Sequence, residues 1–223
     1  MTQTLVGFNQ HGIIMASDSR ATRFNAQGQK EYFSVEKLFP LGRYAGIVSG
    51  GSGVSIPLTH GLRREVLRRG LLAVEDILGF AVPFLSERYG DYLVVHGPEK
   101  EEELRRLNFI ITGYSLEDPD QQYQIYLVES ENNALPFKVT PVNPLLVMPR
   151  NLSMETRLLK ALSANTTLDE LTQMCQEFLE RVSGLQEEIG PPFYFATITR
   201  AGYRSVKHQG GRDKKQKTRE GVG

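Results

Sequence analysis

The stretch TQTLVGFNQHGIIMASDSR, residues 2–20, constrains the fold more than any other part of the chain. Two short apolar runs, Leu5-Val6-Gly7-Phe8 and Ile13-Ile14-Met15-Ala16, flank the turn formers Asn9-Gln10-His11-Gly12. Apolar runs of strand length around such a turn predict a β-hairpin. It begins almost at the initiator Met and places a threonine ahead of its first strand.

A second strand pair is predicted from Phe33-Ser34-Val35 to Phe39 and over Tyr44-Ala45-Gly46-Ile47-Val48-Ser49. After the glycine-rich SGGSG the period changes. Leu58, Leu62 and Val66, then Val74, Ile77, Leu78, Ala81 and Leu85, recur at helical spacing and predict two helices. Pro83 lies inside the second, which predicts a kink or a shifted boundary there. The charged segment PEKEEELRR separates these helices from LNFIITGYSLEDPDQQYQIYLVES, a second hairpin turning at Glu117-Asp118-Pro119-Asp120. The run from Phe137 to Val147 adds strands kept short by Pro141, Pro144 and Pro149.

Two further helices follow, one on Met154, Leu158, Leu159 and Leu162, the other on Leu168, Leu171, Cys175, Phe178 and Val182. The second opens at Thr167 and Glu170 with capping-box spacing. Ser153 is expected to cap the first. A last hairpin, PPFYFATITRAGYRSV, turns at Ala201-Gly202, and residues 209–223 form a basic tail expected to be disordered. Strands, helix pair, strands, helix pair, strands: this order fits an α+β fold, a four-layer αββα sandwich with two antiparallel sheets face to face. Residues 1–208 are expected to form one domain.

Charge narrows the functions available. Lys+Arg and Asp+Glu both number 26, giving a formal net charge of zero, so no global field recruits nucleic acid or an anionic membrane. The single cysteine, Cys175, excludes an intrachain disulfide and sits at an apolar helical position, as a core residue would. With no signal-peptide pattern and no apolar run of membrane-spanning length, a cytoplasmic protein is expected. His11, His60, His96 and His208 lack metal-ligand spacing, so no metal and no cofactor is expected. GGSGVS lacks the Gly-Lys-Ser/Thr ending of a phosphate loop. The Arg63, Arg64, Arg68 and Arg69 face of the first helix is a solvated face or one that meets a neighbouring subunit.

Removal of Met1 is favoured by the small residue behind it and would leave Thr2 as a free N-terminus. One residue would then carry a hydroxyl nucleophile and an α-amine whose reference pKa, about 7.7–8.0, suits it to accept the proton. Such an amine works best near an ammonium that disfavours its protonation, with a carboxylate to hold that ammonium and backbone N–H groups for the oxyanion. Asp18, Lys37 and the glycines of VSGG are the candidates.

In TQTLVGF, GIIMASDSRAT, EKLFPLG and AGIVSGGSG the chain resembles the proteasome β-subunit family of N-terminal-nucleophile hydrolases, as a divergent bacterial-type homologue. The resemblance implies Thr2 as nucleophile, Lys37 tuning its amine, Asp18 orienting Lys37, and Gly50 as oxyanion donor with Gly51 a close alternative. It implies that Thr22 lines a cleft where an extended peptide pairs. A threonine-type endopeptidase follows, acting on peptide or unfolded protein in a homo-oligomeric ring, with an ATP-dependent unfoldase as a partner.

Two departures stand out. The family's GSG turn before the third helix is replaced by Met148-Pro149-Arg150-Asn151. Its late Asp is absent from RVSGLQEEIGPPF, where Ser183, Gln186, Glu187 and Glu188 are the polar residues on offer. They keep two alternatives open: a catalytically inactive ring subunit, and an amide hydrolase of the same fold acting on a small molecule.

Overall fold

A computed structural model describes residues 2–97, 106–116 and 122–208, the last three without side-chain detail. Met1, the PEKEEELR part of the charged segment, the Glu117–Asp120 turn and the 209–223 tail lie outside the described residues.

Strands β1 (Thr4–Asn9) and β2 (Gly12–Ser17) form the predicted hairpin, in register from Thr4 opposite Ser17 to Asn9 opposite Gly12. The turn is tightened by the Asn9 side chain, whose Oδ1 accepts the His11 N–H at 2.9 Å. Gly12 is required there: its φ is +144°, and a Cβ would lie 2.6 Å from the Ile198 carbonyl oxygen.

The next segment departs from expectation. Among the described residues β3 (Arg20–Phe24) and β4 (Lys30–Ser34) pair only with each other, as a two-stranded ribbon, and the short β5 (Leu38–Pro40) is separate from β4. The break falls at Val35, whose N–H goes back to the Ser19 carbonyl. β5 then pairs with β6 (Ala45–Gly51).

Helix α1 (Ser55–Arg69) buries Leu58, Leu62 and Val66 and stops at Gly70, which takes a left-handed φ of 67°. Helix α2 (Val74–His96) runs through Pro83 and ends well past Leu85, the last position of the predicted run. Proline removes one N–H and crowds the carbonyl four residues back, here that of Gly79. Val74, Ile77, Ala81, Leu85 and Tyr89, all fully buried on both sides of Pro83, pack both halves of the helix into the same core.

Strands β7 (Leu107–Tyr114), β8 (Tyr123–Ser130) and β9 (Lys138–Val142) extend the sheet begun by β5 and β6, in the order β5-β6-β7-β8-β9. β10 (Leu145–Met148) crosses to the far side of β1. Helix α3 (Leu152–Ser163) is capped by Asn151, whose side chain accepts the Met154 N–H at 3.0 Å, so the cap is not Ser153. Helix α4 (Leu168–Ser183) opens on the predicted capping box of Thr167 and Glu170. β11 (Phe193–Thr199) and β12 (Gly202–His208) complete a second five-stranded sheet, ordered β10-β1-β2-β11-β12.

Three buried clusters hold these elements. Ile47, Phe109 and Ile111 pack with Leu62, Val66, Ile77 and Leu85 of α1 and α2. Leu5, Ile14, Ala16 and Phe195 pack with Leu158 of α3 and Phe178 and Leu179 of α4. Val6, Ile13, Met15 and Ile198 of one sheet meet Leu38, Val48, Ile110 and Ile125 of the other. Alternation along each strand explains the division: neighbours such as Ile47 and Val48 point to opposite faces. The result is a mixed α/β fold with antiparallel sheets and, among the described residues, four helices. No helix among them is long and apolar enough to cross a membrane.

Candidate active site

The end of β2, the start of β1 and the start of β5 converge on one buried ion pair. Asp18 follows β2 and is fully buried, and Lys37 precedes β5 and is 4% exposed. Lys37 Nζ lies 3.1 Å from Asp18 Oδ1 and donates a second hydrogen bond to the Arg20 carbonyl at 2.7 Å. Asp18 also accepts two backbone N–H groups, Gln3 at 3.0 Å on Oδ1 and Arg20 at 3.0 Å on Oδ2. A carboxylate taken from water needs this many partners.

Burial pushes Asp18 above its ordinary value, against the opposing charge and hydrogen bond of Lys37 and the N–H groups of Gln3 and Arg20. Burial likewise holds Lys37 below its ordinary value, against the Asp18 charge and hydrogen bond. The pair is thus a strained charge site and not a solvated surface bridge.

Thr2 is half-buried and immediately precedes Gln3. The peptide nitrogen that joins them donates to the same Oδ1 that accepts Lys37. In return the Asp18 N–H donates to the Gln3 carbonyl at 3.2 Å. The first strand is therefore locked to the ion pair one residue after Thr2.

Ladder parity distinguishes the two glycines. In a central antiparallel strand, successive residues direct their N–H and C=O alternately to one neighbour and the other. On β6 the Ser49 N–H donates to the Lys37 carbonyl, toward β5, and beyond the strand the Ser52 N–H donates to the Arg106 carbonyl, toward β7. Gly50, opposite Asn108, therefore faces β7, while the Gly51 N–H faces the β5 side. On that side the chain has left the ladder by Val35, whose N–H turns to the Ser19 carbonyl. Gly51 also has a φ of +86°, and a Cβ there would lie 1.9 Å from the Arg106 carbonyl oxygen. A Cβ on Gly50 would meet only the Asn108 side chain, at 2.8 Å.

Thr22 lies at the middle of β3, opposite Tyr32 of β4. The other edge of β3 is unpaired in the ribbon. Its first residue, Arg20, is tied to Lys37 through its carbonyl.

Residues 184–192 pack alongside. The Ser19 N–H donates to the Gly190 carbonyl at 3.2 Å, and Arg20 donates to the Glu187 carbonyl at 2.6 Å. A Cβ at Gly190 would fall 2.4 Å from Arg20 Cζ, so a larger residue there would displace the Arg20 guanidinium. The polar side chains of the loop have other partners or face solvent. Ser183 donates to the Glu180 carbonyl, Glu188 pairs with Lys30 at 3.4 Å, and Gln186 and Glu187 are exposed.

One residue at the site carries no signal that sequence reasoning used. The Gln3 side chain is 4% exposed and donates through Nε2 to the Met148 carbonyl at 3.1 Å and the Pro149 carbonyl at 3.4 Å. Flanked by Thr2 and Thr4 ahead of the first apolar run, it reads in sequence as an ordinary polar terminus. A cavity of about 330 Å³ lined by Leu168, Thr197, Thr199 and Tyr203 lies toward the opposite end of β11 and contains none of the ion-pair residues. Among the described residues no group of three or more His, Cys, Asp or Glu side chains is placed to hold a metal.

No family model matches the chain, and no curated protein matches it. Solved structures do. Anbu (ancestral beta-subunit) from Yersinia bercovieri is 13% identical with a TM-score of 0.66, covering 93% of this chain and 87% of that one. A Gly-1 mutant of Anbu from Hyphomicrobium sp. strain MC1 is 12% identical with a TM-score of 0.65, covering 94% and 88%. These findings correct the resemblance drawn from short motifs. Membership of the proteasome β-subunit family has no match at the level of sequence, and stretches such as GIIMASDSRAT do not carry it. Their agreement has a physical source, since a hairpin, a buried pair and a glycine turn at fixed places restrict the residues that fit. At 13% identity the likeness to Anbu is a likeness of fold alone.

Proposed function

We propose that the chain is a threonine-type amidohydrolase, a peptidase in which Thr2 becomes the N-terminal nucleophile once Met1 is removed. The observation that carries this reading is the shared oxygen: Asp18 Oδ1 accepts both Lys37 Nζ and the nitrogen that follows Thr2. A buried lysine held at that distance from the first residues disfavours a second positive charge, which keeps the Thr2 amine available as a base.

The Thr2 Oγ attacks the amide carbonyl carbon and its proton passes to the Thr2 amine. The carbonyl oxygen becomes an oxyanion, and the Gly51 N–H is its donor, in preference to Gly50, because it is directed at the side of β6 away from β7, past the end of the β5 ladder. The amine returns the proton to the leaving nitrogen as the C–N bond breaks, leaving an ester on Thr2. Water then hydrolyses the ester by the same proton route and restores the hydroxyl. The free edge of β3 around Thr22 suits an extended peptide, which would add to it as a strand. The three buried clusters support reading residues 2–208 as one domain with four layers, and we place its activity within an assembly of identical chains.

Intact-mass measurement before and after an epoxyketone, which reacts with the hydroxyl and free amine of an N-terminal threonine together, tests the reading. Loss of Met1 followed by one adduct on Thr2 supports it. Clean loss of Met1 without an adduct refutes it and favours a subunit that assembles without catalysing.

A further inference from the structure

We infer that Gln3 is the positioning residue for the N-terminal nucleophile, its side-chain amide anchoring the first strand to the turn after β10. The inference rests on the reading of Thr2 as nucleophile. It starts from where the ladders stop. Paired strand residues on β1 begin at Thr4, opposite Ser17 on one side and Met148 on the other. Thr2 therefore lies two residues beyond the last rung, where a terminus ordinarily frays.

Gln3 fills that gap on both sides. Toward β2 its backbone makes the two bonds to Asp18 already described, N–H to Oδ1 and carbonyl from the Asp18 N–H. Toward β10 its side chain replaces the missing backbone rung, with Nε2 donating to the carbonyls of Met148 and Pro149. Both acceptors lie where β10 turns toward α3. The side chain is nine-tenths buried, so its two N–H groups have no water to return to if they are displaced.

The consequence is a short lever. With Gln3 held from both flanks, Thr2 projects by a single residue, about 3.8 Å between α-carbons. Released on the β10 side, the strand end pivots about Asp18 and carries the Thr2 amine away from Lys37. A misplacement of about 1 Å at a reacting group is enough for a hundredfold loss of rate. The anchor also gives a role to the turn Met148-Pro149, which offers carbonyls to Gln3 and no side-chain hydroxyl to Thr2.

The test uses the full chain with Met1 removed by methionine aminopeptidase, as wild type, Gln3→Met and Gln3→Thr. Methionine keeps the volume and loses both donors, and threonine is too short to reach either carbonyl. Two readouts are taken across pH: the second-order rate of epoxyketone adduct formation, and the titration of the Thr2 α-amine by nitrogen-15 NMR.

Both variants are expected to react at least about tenfold more slowly, with the amine midpoint moved up toward the reference of about 7.7–8.0 as Lys37 loses its hold on it. A purely packing role would lower stability and leave that midpoint in place. An unchanged midpoint in a folded variant overturns the inference, whatever the rate. If wild type forms no adduct, the proposed activity fails, yet a shifted midpoint would still establish Gln3 as the anchor. Should one variant not fold, the other decides.

Discussion

Removing the ammonium from the buried pair should cost more than removing the pair. In Lys37→Met the Asp18 carboxylate, fully buried, keeps two backbone N–H donors and loses its counter-charge. Truncating one partner of such a pair costs about 3–5 kcal/mol, whereas replacing both with neutral groups of similar size is often near neutral. The double variant Asp18→Asn/Lys37→Met should therefore recover at least about 2 kcal/mol of that loss. Urea unfolding measures it. With a slope of about 3 kcal/mol per molar, the single variant should unfold about 1–1.7 M earlier than wild type, and the double variant much closer to it. A domain of this size has about 5–15 kcal/mol to lose from, so the single variant can remain folded in water. If the losses of Asp18→Asn and Lys37→Met simply add in the double variant to within about 0.5 kcal/mol, the two side chains are not coupled and the charge argument is wrong.

Gly51→Ala keeps the backbone N–H, but its Cβ would meet the Arg106 carbonyl oxygen at 1.9 Å and turn that N–H aside, so adduct formation at Thr2 should slow by up to about 10²–10³, the usual cost of losing an oxyanion donor; Gly50→Ala, which displaces only the Asn108 side chain, should cost far less, and equal losses in epoxyketone labelling rate would refute the parity argument. The pair should also tilt the pH dependence of stability. Because burial lowers Lys37 in the folded state, the native protein binds fewer protons than the unfolded chain in the window below the ordinary value of 10.5. Stability should then rise with pH through that window, by no more than about 1.4 kcal/mol per unit, relative to the Asp18→Asn/Lys37→Met protein; denaturant melts at stepped pH would show a parallel course if this is wrong. Cys175, fully buried with its thiol pushed up to about 12, should resist a thiol reagent in native buffer and react at once in denaturant.

The elements legible in the sequence are those whose cause is local. Asn9 to Gly12 turns the first hairpin with its own side chain, and Thr167 and Glu170 cap α4 within four residues. The ribbon was illegible because β3 and β4 bury little on either face, so no apolar period marks them. The extent of α2 past Pro83 was illegible because tertiary burial along the helix outweighs a local penalty. At the site, Asp18 and Lys37 were legible as charges abutting apolar runs. Choosing Gly51 over Gly50 needs the ladder register, and Gln3 needs knowledge that β10 comes to lie beside β1. Neither is a property of neighbouring residues.

The order in which the two sheets find their strands sets when the ion pair can be completed. The sheet from β5 to β9 is assembled from strands paired with their sequence neighbours, all within residues 38–142. The first hairpin instead waits for β10 and β11, more than 120 residues downstream, and pairings of such separation form late. Pulse-labelled hydrogen exchange should find β6, β7 and β8 protected before β1, and simultaneous protection would contradict this order. On the ribosome the delay separates emergence of the first strand from its anchoring. A nascent chain exposes its first strand early, but Gln3 has no Met148 or Pro149 carbonyl to donate to until the last third of the chain is synthesised.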